Sequence, residues 1–315
     1  MFLRMLKRPL VSVLLSVAAL AFASCGSDSD VPILAGNTQS ASAEGEGLYQ
    51  KARQADEAGK TGGAIKLYDK MATRYPFAPS AANARYRQAQ LLEQQGKIED
   101  AFEAYDQFLE RFPGSPDYAT ALSRQAAMAQ AAAEGDVKSS FLGLKTKLSL
   151  DKTVEMLGKV RDHAPKSPTA AKAQFTIGEA YQAKRKYKES IEAFRKLVND
   201  QPDSSLAPEA LFRVGVILLE NADRGNQNQA NLDLSREAFN DYLIQYPGHS
   251  KNAEARRLLG TLGGRDLQRS FDIAEFYLKT GKTESAKVYY RDIVKRTGSG
   301  DLHDKSKARL KELGE

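Results

Sequence analysis

Five prolines, each closing a run of helix-forming residues, constrain this chain more than any other feature. They stand in "RYPFAP" (Pro76), "RFPGSP" (Pro113), "HAPKSP" (Pro165), "DQPDSS" (Pro202) and "QYPGHS" (Pro247). The gaps between them are 37, 52, 37 and 45 residues, which is one period of 37 with insertions of 15 and 8. The residue before a proline avoids the α region, so each proline stops a helix at a fixed place. A repeated stop at this interval means a repeated unit, and a unit of this length holds two helices.

Small residues recur inside each period. In the first, second and fourth units a small residue is followed 12 positions later by another, then 4 later by an aromatic and 8 later by the proline. These are Ala52, Ala64, Tyr68, Pro76; Ala89, Ala101, Tyr105, Pro113; and Gly178, Ser190, Phe194, Pro202. A last unit has Ala274, Ala286 and Tyr290, with Gly298 in the place of proline. The third and fifth keep their back halves, Thr153–Leu157–Pro165 and Ser235–Phe239–Pro247, with front markers Ala126 and Gly215 displaced by the insertions. Small residues let helix A approach helix B, and an aromatic one turn further along the same face fills the groove to the next unit. Gly59, Gly96 and Gly281 fall where helix A must end in a left-handed residue. This spacing resembles the tetratricopeptide pattern. The expected fold is all-α: a right-handed α-solenoid of about six helix pairs over residues 47–315, in which stacking buries faces that no single pair can bury. Between Pro247 and Ala274 the chain is 14 residues longer than the rule allows. Residues 250–280 therefore form one helix prolonged by nearly four turns, or a helix broken at Gly263–Gly264.

The N-terminus reads differently. Arg4, Lys7 and Arg8 precede a 13-residue apolar stretch and then "ASC", ending at Cys25. A basic start, a short apolar run and small residues before a break form a secretory signal, residues 1–24. A Cys directly after the small residues resembles a bacterial lipobox, with Cys25 as the lipidation site and Phe22 where Leu is usual. Cys25 is the sole Cys of 315 residues, so no disulfide framework is available. Residues 25–46, small, polar and rich in Gly and Ser after the Cys, read as a flexible tether.

Chemistry is thinly represented. The chain has 46 Lys and Arg against 40 Asp and Glu, and three of the positive charges lie in the signal segment, so nucleic acid is not an expected partner. "GKT" occurs at Gly59–Thr61 and Gly281–Thr283, but Gln54 and Phe276 stand where a phosphate loop requires Gly. His163, His249 and His303 are scattered, so no metal and no cofactor are expected, and nothing points to an enzyme.

Three stretches carry a family resemblance: "RYPFAPSA" (74–81), the insertion "SSFLGLKTKLSLD" (139–151) and "RSFDIAEFYLKTGKTESAKVYYRDIV" (269–294). They are similar to BamD, the lipoprotein family of the outer-membrane β-barrel assembly machinery, over about residues 44–170 and 250–315. This chain is longer in the middle by one or two repeats. The resemblance implies a non-catalytic scaffold, lipid-anchored in the outer membrane and facing the periplasm. Its C-terminal repeats would bind the barrel-forming subunit, with other assembly lipoproteins nearby, and its N-terminal repeats would receive unfolded outer-membrane proteins. By position, Arg74, Tyr75 and Phe77 match the client pocket and Arg265 the partner contact. Gly26, rather than Asp, after Cys25 also favours the outer membrane. Two other readings stay open: a periplasmic coordinator of the Tol-Pal type, and a peptide-binding lipoprotein with another client.

Overall fold

The computed structural model describes residues 38–141, 144–224 and 229–315. Thirteen helices follow one another among the described residues: α1 (Thr38–Glu57), α2 (Thr61–Arg74), α3 (Ala81–Gln94), α4 (Ile98–Arg111), α5 (Tyr118–Glu134), α6 (Leu150–His163), α7 (Pro168–Ala183), α8 (Tyr187–Asp200), α9 (Ala207–Arg224), α10 (Gln229–Gln245), α11 (Asn252–Lys279), α12 (Thr283–Arg296) and α13 (Asp301–Glu312). Each packs on the helix before and the helix after it, so the chain is six antiparallel pairs in a row with α13 closing the end.

The seams are where the prolines place them. Tyr75 (φ −122°, ψ 57°), Phe112 (−125°, 55°), Ala164 (−139°, 62°) and Gln201 (−143°, 65°) each precede a proline and have left the α region. At the A–B turns Gly59, Gly96 and Gly281 have φ of 70°, 71° and 74°. The next residue, Lys60, Lys97 or Lys282, donates its N–H to a carbonyl five back, that of Ala55, Leu92 or Tyr277. These bonds satisfy the last carbonyls of helix A. The fourth turn has the same bond from Lys186 to Tyr181, but its left-handed residue is Arg185, at φ 57°.

Inside each pair the marker residues meet. Ala52, Ala64, Ala89, Ala101, Ala274 and Ala286 are fully buried, as are Tyr105, Phe194, Phe239 and Tyr290. The fourth and fifth pairs use Gly and Ser instead of Ala. Ser190 Oγ donates to the Gly178 carbonyl at 2.8 Å, and Ser235 Oγ to the Gly215 carbonyl at 2.8 Å. The contact is identical although the fifth pair carries the 8-residue insertion, part of which lengthens its helices, α9 (18 residues) and α10 (17 residues). Ala126, the front marker of the third pair, is only half-buried. The 15-residue insertion holds the only strands among the described residues. It is an antiparallel hairpin of β1 (Lys138–Phe141) and β2 (Leu144–Lys147), with Phe141 opposite Leu144.

Two expectations are refined. Residues 38–46, expected as part of the tether over 25–46, belong to α1, which begins at Thr38, and residues 25–37 lie outside the described residues. Gly45 lies so close to the first seam that a Cβ there would stand 2.8 Å from that of Tyr75, and Glu46 accepts hydrogen bonds from the Ser80 N–H and hydroxyl at 2.8 and 2.7 Å. Tertiary contact thus recruits a Gly/Ser-rich segment of weak helix propensity. Near the other end, α11 is one unbroken helix of 28 residues. Ala255 and Leu262 anchor its first half in the core of the fifth pair, and Ala274 anchors its second half in the small core of the last pair with Ala286, Tyr290 and Leu310. Packing at both ends outweighs the cost of Gly263 and Gly264 between them.

Candidate protein-docking surfaces

The sequence places its candidate client residues on the first seam, and the fold separates them. Tyr75 caps α2 and turns toward α1: its hydroxyl donates to Glu44 at 3.1 Å, and the Arg74 guanidinium lies 5.9 Å from its ring centroid. Burial, and next the Glu44 hydrogen bond, push the Tyr75 hydroxyl above its ordinary pKa. Both Arg74 and Tyr75 are half-buried. Phe77, two residues on, is 79 % exposed and points away from this packing. Tyr75 therefore serves the junction of α1 with α2, and Phe77 is the apolar group presented outward. Cys25 lies outside the described residues.

Arg265, the candidate partner residue, is on the exposed middle of α11 and forms an ion pair with Asp223 at the end of α9. Its neighbours do likewise: Arg236 of α10 pairs with Asp266, and Arg269 donates to Gln229. The unrepeated turns of α11 are thus held against the fifth pair by polar bridges. Beyond them Phe276 and Val288 are 61 % and 58 % exposed on the last pair, and Tyr277 stacks on Tyr289 at 5.8 Å.

A second aromatic in five of the six units escaped the marker rule. Tyr49, Tyr86, Phe175, Phe212 and Phe271 each stand three residues before the front small residue of their pair. Each ring packs on the helix B aromatic: Tyr49 on Tyr68, Tyr86 on Tyr105, Phe175 on Phe194, Phe212 on Phe239 and Phe271 on Tyr290, at 5.2 to 6.0 Å between centroids. Rings at this spacing add to the burial they bring. The signal was present in the sequence as an aromatic at i−3 from the front marker of these five units. The third pair has Ser123 and Leu157 at these two places.

Charges are arranged for structure rather than for proton transfer. The hydroxyls of Tyr68, Tyr105 and Tyr290 donate to Asp56, Glu93 and Glu275 at 3.4, 2.8 and 2.6 Å. Burial and then the neighbouring carboxylate push Tyr68 up to about 12, and they raise Tyr105 and Tyr290 as well, with the Glu hydrogen bonds adding to the effect. All three remain neutral donors. Asp106, 2 % exposed, joins three helices: it accepts from Gln125 Nε2 of α5 at 2.9 Å, Lys159 Nζ of α6 at 2.6 Å and His163 Nε2 of α6 at 2.7 Å. Burial alone would raise its pKa, but the bonds from His163, Lys159 and Gln125 outweigh that and hold it below the ordinary range. Among the described residues no group of three or more His, Cys, Asp or Glu side chains is placed to hold a metal ion.

Two segments match the tetratricopeptide repeat, residues 49–116 and residues 172–204. The fold is a tetratricopeptide-type α-solenoid. Similar solved structures include a tetratricopeptide repeat protein from Parabacteroides merdae ATCC 43184, 16% identical, with 85% of this chain and 97% of that one covered and a TM-score of 0.29. The apo form of RapI is 12% identical over 85% of this chain and 99% of its own, with a TM-score of 0.31. YrrB, described as a TPR protein with an unusual peptide-binding site, is 17% identical over 72% of this chain and 92% of its own, with a TM-score of 0.30. No curated protein sequence matches the chain. No helix of the described residues is long and apolar enough to cross a membrane.

Proposed function

We propose that this chain is a non-catalytic scaffold lipoprotein of the outer-membrane β-barrel assembly machinery, anchored through Cys25 and facing the periplasm. What carries the reading is the difference between its two ends. The stretch that resembles the family's client pocket forms a seam with one large apolar side chain, Phe77, turned outward. The stretch that resembles its partner-binding end sits on a prolonged helix, α11, beyond the last regular pair and with a separate small core. A scaffold that joins a client to an assembly subunit needs two such dissimilar surfaces held at a fixed distance, and stacked helix pairs provide that. The surface aromatics at both ends suit contacts with other proteins.

Isolation of the tagged full-length chain from detergent-solubilised envelopes tests the reading. Recovery of a barrel-assembly subunit is the expected result. Recovery of Tol or Pal components instead would assign the chain to cell-envelope coordination, and recovery of neither would leave a peptide-binding lipoprotein with another client. The Cys25→Ser variant should move from the membrane to the soluble periplasmic fraction with its melting temperature unchanged.

A further inference from the structure

The third pair breaks the ladder of rings, and the break leaves a cavity. Between α5 and α7 lies a cup of about 400 Å³ whose wall includes Ala126, Ala127, Leu157, Val160, Ala173 and Lys172. Leu157, Val160 and Ala173 are 2 %, 1 % and 4 % exposed and form the apolar floor, while Ala127 is exposed at the mouth. The corresponding place between the first and second pairs is a smaller cavity of about 260 Å³, bordered by the Tyr49 and Tyr68 rings and by Arg53, Asp56 and Arg87. There rings and charges fill the space. In the third pair Ser123, Leu157 and Ala127 stand at the positions of Tyr49, Tyr68 and Arg53, so no ring or charge from these positions fills the cup above its buried floor. One charged side chain lines the cup. It is Lys172, exposed and with no acidic partner among the described residues. Gln130, on the same wall, is already engaged by Thr176 at 3.1 Å and by Glu134 at 2.8 Å.

We infer that this cup, at the middle of the solenoid, binds a large apolar side chain of a partner polypeptide whose adjacent residue is acidic. Ala126, Ala127 and Pro168, the accessible apolar wall above the buried floor, supply contact for an aromatic or branched aliphatic group. A cation at the rim with no carboxylate beside it leaves an unmatched positive charge, and the group that matches it is a carboxylate next to the apolar anchor. The inference deepens the scaffold reading by placing one specificity pocket between the two ends, and it rests on that reading only for the partner being a protein.

The test uses the purified full-length chain and a fluorescein-labelled decapeptide probe, Gly-Ser-Gly-Ser-Phe-Glu-Ser-Gly-Ser-Gly, followed by anisotropy. Replacing the probe's Phe by Ala should weaken binding at least about tenfold, as burial of one such side chain implies. Replacing its Glu by Lys should also weaken binding. Ala127→Phe fills the mouth from an exposed position and should abolish the Phe preference without moving the melting temperature. Lys172→Glu, also at an exposed position, should invert the preference from the Glu probe to the Lys probe. Equal binding of the Phe and Ala probes, or full binding by Ala127→Phe, overturns the cup as a site. An unchanged charge preference in Lys172→Glu overturns the acidic neighbour. If these probes fail while an assembly subunit still co-purifies, the cup falls and the scaffold stands. If the probes behave as stated while no assembly subunit is recovered, the cup stands and the assembly role falls.

Discussion

A Cβ added to Gly178 would lie 2.6 Å from the ring of Phe194, the aromatic that its own repeat carries on helix B. Gly215 stands in the same relation to Phe239, also at 2.6 Å. Both glycines are mid-helix, where Gly is intrinsically unfavourable, and both are required because a ring occupies the space of a side chain. Gly178→Ala should therefore lower stability by about 1–3 kcal/mol, the usual cost of overpacking. Gly263 and Gly264 in α11 have nothing within 4 Å of a built Cβ. Alanine at either should raise stability by about 0.5–1 kcal/mol. Thermal melts of the three variants check both signs, and a stabilised Gly178→Ala would refute the close contact.

The A–B turns give a second, purely backbone prediction. Gly96 is left-handed at φ 71° with open space around it, so Gly96→Ala is not sterically blocked by neighbours and should still cost about 1–2 kcal/mol. Arg185 occupies the matching turn at φ 57°. Arg185→Gly relieves that strain but loosens the unfolded chain, so its stability should change by less than about 1 kcal/mol. Urea midpoints of the two variants measure the difference.

Asp106 predicts a pH dependence. Asp106→Asn removes the carboxylate that receives Lys159, His163 and Gln125, and should cost about 1–3 kcal/mol at neutral pH. The folded-state pKa is depressed, so the contribution of the charge is present above the ordinary value of 3.8 and is lost as pH falls through the lower folded value. The gap between the parent and Asp106→Asn should narrow only below about pH 4. Chemical unfolding of both from pH 7 to pH 3 reads it; a gap that stays unchanged down to pH 3 would remove the Asp106 charge from the account.

Arg265 separates stability from docking. Its pair with Asp223 is largely exposed, so Arg265→Glu should change stability by no more than about 1 kcal/mol. If the middle of α11 contacts a partner, the same change should sharply reduce co-purification of the barrel-assembly subunit while leaving Phe77-dependent client crosslinking intact. An undiminished complex would remove Arg265 from the proposed interface.

The proline period, the small markers and the three turn glycines were enough to place the solenoid and most of its pair contacts, because these are short-range demands of φ, ψ and close helix approach. Contacts that need distant segments were not legible. Whether the helix starts at Thr38 depends on Gly45 and Glu46 meeting the seam at Tyr75 and Ser80, and whether α11 is continuous depends on anchors at Leu262 and Ala274 in two different cores. Tyr75 and Phe77, adjacent in motif, are divided by which side of the seam packs on α1. The cup beside Ala127 arises from absences at Ser123 and Leu157 that matter only because α7 lies alongside α5. Local propensity and spacing decide which helices form, and the stacking of one pair on the next decides which side chains those helices leave uncovered.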